Sequence, residues 1–143
     1  MAFEILNGIT SADIAFRVSG KDLAELFHAG ARALTSIMLQ NPETIESKTS
    51  VTFDCAAENL DMLYFDFLNE FIYYKDSKKL ILLPEKIQVI ESAGGYSMTC
   101  LAKGEKIDRA RYLFNVDIKA ITTHNLRVVK KKNRWFATVI VDV

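Results

Sequence analysis

Two aspartates and two basic side chains are the residues of this sequence that could bind a cation or a phosphate. Asp142 interrupts an apolar segment, residues 135–143, whose β-branched and aromatic side chains predict a strand. Both faces of that strand are mostly apolar, so we expect it to lie inside a sheet. A buried carboxylate without a compensating charge costs several kcal/mol. Asp142 therefore predicts a neighbouring Lys, Arg or cation.

Asp13, Lys119 and His124 complete the candidate set. Asp13 begins an alternating polar and apolar segment, residues 12–19, which predicts a half-buried strand. Taken alone, Asp13 is best explained as a turn residue that accepts backbone N–H bonds. An ordinary polar strand face likewise explains Lys119 and His124. Periodicity alone does not bring these side chains to Asp142.

Several familiar chemistries are absent from the sequence. It contains no glycine-rich phosphate loop, no nucleophile elbow and no histidine pair at metalloprotease spacing. Cys55 and Cys100 match no metal-binding motif and predict buried thiols. A hydrolase built on Asp13, Asp142 and His124 would have two carboxylates, one imidazole and no evident nucleophile, which makes it the weakest functional hypothesis.

Length and charge set the general class. With 143 residues, 50% of them hydrophobic, we expect residues 1–143 to form one domain. The 18 basic residues balance 18 acidic ones, so nothing attracts the whole molecule to nucleic acid or to an anionic membrane. The basic turn 130–132 is best explained as solvated. The sequence predicts no signal peptide and no membrane span, hence a cytoplasmic protein.

The order of predicted elements indicates an α+β fold, with a mostly antiparallel or mixed β-sheet packed with two α-helices. Apolar positions recurring at helical spacing predict the two helices. Alternation and turn residues predict the strands. The helices are expected at residues 21–38 and 60–74, and the strands at 3–7, 12–19, 49–56, 86–92, 96–103, 115–130 (as one strand or two) and 135–143.

Five motifs in order resemble the archease family, and together they cover essentially the whole chain. They are Ser-Ala-Asp-Ile at 11–14, Gly-Lys-Asp-Leu-Ala-Glu-Leu-Phe at 20–27, Phe-Leu-Asn-Glu at 67–70, Lys-Ala-Ile-Thr-Thr-His at 119–124 and Val-Ile-Val-Asp-Val at 139–143. The resemblance implies a non-catalytic accessory protein of the tRNA-splicing RNA ligase that uses GTP and a divalent metal. Archeases promote guanylylation of that ligase and its multiple turnover, so RNA would be contacted only through the ligase.

The resemblance also assigns site residues. It implies a metal site formed by Asp13, Asp142 and Val143, and a functional role for Lys119, with His124 closing the same motif. Carboxylate, carbonyl and terminal oxygens suit Ca²⁺, Mg²⁺ or Mn²⁺ and suit Zn²⁺ poorly. A cation would also neutralise Asp142. The alternative is that Lys119 neutralises Asp142 in a salt-bridge network.

This chain departs from the family pattern at three positions. Thr10 and Tyr112 stand where the resemblance implies histidines, and Asn125 stands where it implies a glycine. Two imidazoles near the implied site are therefore missing. A second hypothesis follows, in which the protein is a chaperone-like modulator of another RNA-processing enzyme such as a tRNA methyltransferase.

Overall fold

Two antiparallel sheets and two helices make up the fold in the computed structural model, which describes residues 2–6 and 13–143. The α+β prediction is confirmed, although the sheet is divided in two. One sheet has five strands in the order β1-β2-β8-β6, with β7 also paired to β8, and the other has the order β3-β5-β4. The elements are β1 (Ala2–Leu6), β2 (Asp13–Gly20), α1 (Leu23–Met38), β3 (Thr49–Ala57), α2 (Leu60–Lys78), β4 (Leu80–Ser92), β5 (Gly95–Lys106), β6 (Ala120–Ile121), β7 (Arg127–Lys131) and β8 (Arg134–Asp142).

Strand β8 lies inside the five-stranded sheet, as its two apolar faces predicted. It pairs with β2 on one side and with β6 and β7 on the other. One face of β8 carries Ala137, Val139 and Val141, which are at most 2% exposed and belong to the hydrophobic core. The opposite face carries Phe136, Thr138, Ile140 and Asp142, of which Ile140 is also buried.

Both helices begin at side-chain caps. Asp22 accepts a hydrogen bond from Glu25 N at 2.8 Å at the start of α1, and Asn59 accepts one from Met62 N at 2.9 Å at the start of α2. Gly20 lets α1 begin close to β2, because a Cβ at that position would lie 2.6 Å from Leu26 N. No helix in the described part of the chain is long and apolar enough to cross a membrane.

Three predicted boundaries are wrong. Helix α2 continues to Lys78, and Lys79, with a φ of 56°, ends it by donating its N–H to Tyr74 O. In the added turn Lys75 is buried and its Nζ donates to Asp117 Oδ1 at 2.9 Å, a contact that the charged sequence does not reveal. Strand β4 begins at Leu80 and passes through Pro84 by a register shift. Most of residues 115–130 is loop, since only β6 and β7 pair with β8 in that range.

The two helices meet at Gly30 and Tyr64. The fully buried Tyr64 hydroxyl donates a hydrogen bond to Leu26 O at 3.0 Å across the helix pair. The Tyr64 ring also contacts Phe27 edge-on, with centroids 4.8 Å apart. A Cβ at position 30 would lie 2.0 Å from Tyr64 Oη. Gly30 is therefore the residue that admits the tyrosine between the helices.

Gly30→Ala is expected to lower the free energy of unfolding by about 2 kcal/mol, because the new methyl group displaces a buried ring. Helix propensity alone would raise the free energy of unfolding by about 1 kcal/mol on replacing glycine with alanine. A decrease would therefore show that the clash with Tyr64 outweighs helix propensity. In a Tyr64→Phe background the same substitution should cost less, since the clashing hydroxyl is gone. Urea unfolding of the parent, Gly30→Ala, Tyr64→Phe and the double variant measures the cost of Gly30→Ala in each background. A stabilised Gly30→Ala protein would contradict the packing described.

Candidate functional site

Asp13 and Asp142 lie directly opposite each other on neighbouring strands. The antiparallel register of β2 and β8 pairs Asp13 with Asp142, and then Ile14 with Val141. Residues paired in this way project from the same face of a sheet, with Cβ atoms about 4.5–5.5 Å apart. Both aspartates are half-buried. The first described residue of β2 and the last residue of β8 thus place two carboxylates at one end of the sheet.

Strand β6 borders Asp142 on its other side. Ala120 pairs with Asp142, and Lys119 N donates a hydrogen bond to Asp142 O at 2.8 Å. The Lys119 side chain is exposed. Within the described residues Lys119 forms no ion pair with Asp13 or Asp142, so its contact with Asp142 is through the backbone. The structure therefore gives the salt-bridge alternative no support.

Val143 follows Asp142 and is anchored by its side chain. It is half-buried and packs against the hydrophobic core, on the face of the sheet opposite the two carboxylates. The family resemblance implies Val143 as the third ligand, and its main chain directly follows Asp142 in the sequence.

His124 lies apart from the two carboxylates, in the turn between β6 and β7. It is exposed, and its Nε2 lies 3.3 Å from Asn125 Nδ2. Asn125 has a φ of 54°, in the left-handed region that asparagine tolerates better than most residues. This backbone conformation accounts for an asparagine at the position where the family resemblance implies glycine. The structure brings Asp13, Asp142 and the Lys119 backbone together, and it leaves His124 at the edge.

Tyr112 belongs to a different cluster. Its hydroxyl donates a hydrogen bond to Glu105 Oε2 at 2.6 Å, and Arg111 lies 5.0 Å above its ring. Glu46 N also donates to Glu105 Oε2, at 2.8 Å. Burial raises the pKa of the Tyr112 hydroxyl above its ordinary value. Tyr112 thus helps to fix the loop 107–119 to β5, while Thr10 lies outside the described residues.

Glu105 is the residue that the sequence analysis missed. It is only 4% exposed and accepts bonds from Tyr112, Glu46 N and the guanidinium of Arg111. The sequence places it in a polar stretch that predicts a surface loop, and no periodic signal marks it as buried. Its role in the described structure is to tie three segments together.

The carboxylate pair can hold a cation but offers little else. Like charges directly opposite in a sheet repel each other, and a divalent cation between them would remove that repulsion. No three His, Cys, Asp or Glu side chains within residues 2–6 and 13–143 cluster with metal-binding geometry. The remaining ligands would have to be main-chain oxygens or water. Such a donor set fits a hard, oxygen-preferring ion and provides no nucleophile.

Comparison with known proteins finds relatives over nearly the whole chain. Residues 3–143 match the model of the Archease protein family (MTH1598/TM1083). The protein archease of Pyrococcus furiosus is 31% identical over 134 residues, which cover 93% of this chain and 94% of that protein. The protein archease of Methanosarcina barkeri is 31% identical, covering 93% of this chain and 91% of that protein.

Solved structures are also similar. The solution structure of Methanobacterium thermoautotrophicum protein 1598 matches with a TM-score of 0.85 and 25% identity, covering 99% of this chain and 98% of that chain. The crystal structure of an archease from Thermotoga maritima, named there a possible chaperone, matches with a TM-score of 0.63 and 21% identity over 94% and 93% of the two chains. At that identity the second match bears on the fold alone.

The opposed carboxylates predict the effect of Asp142→Asn. Without divalent cations, this substitution should leave the free energy of unfolding unchanged or raise it by up to about 1 kcal/mol, because it removes a like-charge pair. Urea unfolding in EDTA, with Glu58→Gln as a control for loss of an exposed acid, measures the difference. A loss of more than about 1 kcal/mol would instead indicate that a protein cation such as Lys119 stabilises Asp142.

Proposed function

The chain belongs to the archease family, and from that premise we propose that it is a non-catalytic accessory protein that activates a GTP- and metal-dependent tRNA-splicing RNA ligase. In this proposal it promotes guanylylation of the ligase and multiple turnover. It acts through a divalent cation held at Asp13 and Asp142. The ligase supplies the catalytic groups.

One observation carries the proposal: the β2–β8 register that sets Asp13 opposite Asp142. The two strands pair over eight consecutive residue pairs, so the position of the carboxylates is rigid. Rigid elements are suited to holding ligands at fixed separation. The pair lies half-exposed at the end of the sheet, where a partner protein has access.

Each residue at this end has a role in the proposal. Asp13 and Asp142 bind the cation, and Val143 contributes a main-chain oxygen. The cation, which we expect to be Ca²⁺, Mg²⁺ or Mn²⁺, would supply positive charge at this surface. The exposed ammonium of Lys119 lies on the chain beside Asp142 and is free to pair with a phosphate or a carboxylate of the ligase complex. We expect His124, which is exposed in the turn between β6 and β7, to contact the partner.

Tyr112 bears on the alternative function. Because this side chain is buried against Glu105, it cannot offer a polar group at the surface as a histidine in an exposed loop would. Activation would then depend on the carboxylate pair, Val143, Lys119 and His124, without help from Tyr112. If these do not suffice, the protein would be a chaperone-like modulator of another RNA-processing enzyme, such as a tRNA methyltransferase.

Cation binding tests the first part of the proposal. Mn²⁺ or Ca²⁺ should bind to the parent protein in calorimetry and should raise its melting temperature, because binding to the native state adds to the free energy of unfolding. Asp142→Asn and Asp13→Asn should lose both effects while remaining folded. Glu58→Gln should retain them. Equal binding by the parent and both aspartate variants would place the cation elsewhere.

RNA ligation tests the second part. With the ligase of the same organism, GTP, Mn²⁺ and excess RNA, the parent protein should convert a single turnover into many. Asp13→Asn, Asp142→Asn and Lys119→Gln should each reduce this stimulation about tenfold or more, as expected for loss of a ligand or of a charge-assisted contact. Product formed against time gives the number of turnovers.

The control for ligation is Lys86→Gln, which removes an exposed lysine of β4 in the other sheet. It should stimulate the ligase as the parent does. Absence of stimulation by the folded parent, with a ligase that is active alone, would contradict ligase activation and leave the modulator function. Full stimulation by both aspartate variants would contradict the site.

A further inference from the structure

The five-stranded sheet carries a groove on the face turned away from the helices. The core-facing positions of β8 alternate with Phe136 and Thr138, which point to this outer face. A cavity of about 420 Å³ opens there. Its lining includes Arg17 from β2, Arg127, Val129 and Lys131 from β7, and Phe136 and Thr138 from β8.

A second depression extends the first across the sheet. Its volume is about 270 Å³, and it shares Arg17 and Phe136 with the larger cavity while reaching Phe3 and Glu4 on β1. The two adjoining depressions border β7, β8, β2 and β1, and we name them together the sheet groove. We expect such an elongated surface to suit an extended chain better than a single compact molecule.

The charge of this region departs from that of the whole chain. The chain has equal numbers of acidic and basic residues, yet residues 118–141 contain no Asp or Glu and carry the basic residues Lys119, Arg127, Lys130, Lys131, Lys132 and Arg134. Arg127 and Lys131 line the sheet groove, and Arg17 joins them from β2. The lining cations are therefore not matched by acids from the same segment.

Two acidic groups do approach these arginines. Glu4 Oε1 lies 3.2 Å from Arg17 Nη1, and Asp61 Oδ2 lies 3.7 Å from Arg127 Nη1. The Arg17 and Glu4 side chains are both more than half exposed, and exposed pairs of this kind are weak. Lys131 forms no ion pair within the described residues. An anionic ligand could therefore displace the Arg17–Glu4 pair at low cost. Asp61 also accepts a hydrogen bond from Val128 N at 2.7 Å, so a ligand would share Arg127 with it.

Phe136 gives the groove an aromatic surface. It is half-buried, and its sheet neighbours on this face are Val129 on one side and Ser19 on the other. Neither neighbour is large enough to cover an aromatic ring. A partly exposed ring between cations is the arrangement on which single-stranded nucleic acids stack a base while their phosphates meet Lys and Arg.

In contrast to the contact only through the ligase that the family resemblance implies, we propose that the sheet groove binds single-stranded RNA directly, with a base on Phe136 and phosphates on Arg17, Arg127 and Lys131. The choice of RNA over DNA rests on the proposed function, whereas the binding of a single strand rests on the groove itself. Thr138 is four residues from Asp142 along β8, or about 14 Å. The carboxylate pair lies on the same face, beyond Ala15 and Ile140, which are at most 5% exposed.

Fluorescence anisotropy with a labelled single-stranded oligouridine, without ligase and in EDTA, tests the proposal. Binding should weaken with salt, with a slope of log K against log salt near about −2 for three phosphate contacts. The double variant Arg17→Gln/Lys131→Gln should weaken binding and flatten that slope by about 1.4. Phe136→Leu should weaken binding about fivefold or more and leave the slope unchanged.

Matched controls separate the groove from general charge. Lys78→Gln/Lys86→Gln removes two exposed lysines away from the groove and should bind as the parent does. Asp142→Asn should also bind RNA in EDTA, even where it fails to stimulate the ligase. Asp142→Asn removes a proposed cation ligand and leaves the groove residues unchanged, so ligase stimulation and RNA binding can fail independently of each other. Circular dichroism melts verify that each variant is folded.

Several outcomes would overturn the proposal. Equal loss of binding in the control double variant would show that the attraction is not local. Equal affinity for duplex RNA, for polyglutamate or for free uridine monophosphate would assign the groove to another occupant. Tighter binding of single-stranded DNA than of RNA would contradict the choice of RNA. Absence of oligouridine binding by the folded parent at low salt would contradict an RNA site in the groove.

Discussion

Strand β8 is held in one register from both sides, and the rest of the sheet depends on that register. A slip of one residue against β2 would turn Val139 and Val141, which are fully buried, to the outer face and Asp142 to the core. Burying each valine contributes about 1.5–3 kcal/mol. Opposing two carboxylates costs at most about 1 kcal/mol. After such a slip the apolar Phe136 and Ile140 would replace the valines in the core, but Thr138 and Asp142 would enter it as well, and an unpaired buried carboxylate costs several kcal/mol. The register that keeps Asp142 out of the core is therefore favoured, and the close approach of Asp13 and Asp142 follows from it.

The same alternation divides the outer face into two chemically different ends. The end near Asp13 and Asp142 is acidic and is bordered by the backbone of Lys119. The other end is basic and aromatic, with Phe136 and Lys131 on neighbouring strands. In the account proposed here, the acidic end holds a cation for the ligase and the basic end holds RNA. Both functions would use one rigid sheet, while the helices and the second sheet provide its support.

Local patterns predicted the parts of this fold that local physics determines. The two apolar faces of residues 135–143 predicted an internal strand, and helical spacing predicted both helices. The opposition of Asp13 and Asp142 joins opposite ends of the sequence, so periodicity could not predict it, and only the family resemblance implied it. Glu105 was missed for a related reason, since its partners Glu46 and Arg111 come from other segments. The last turn of α2 includes the buried Lys75, whose contact with Asp117 is equally non-local.

The most direct test is anomalous diffraction from crystals of the parent protein equilibrated with Mn²⁺. We expect a manganese peak between the carboxylates of Asp13 and Asp142, absent from crystals of Asp142→Asn grown in the same way. We also expect the Lys119 ammonium to point away from the ion. A Lys119 ammonium seated between the two carboxylates, or a peak bound elsewhere and unchanged in the variant, would contradict the account.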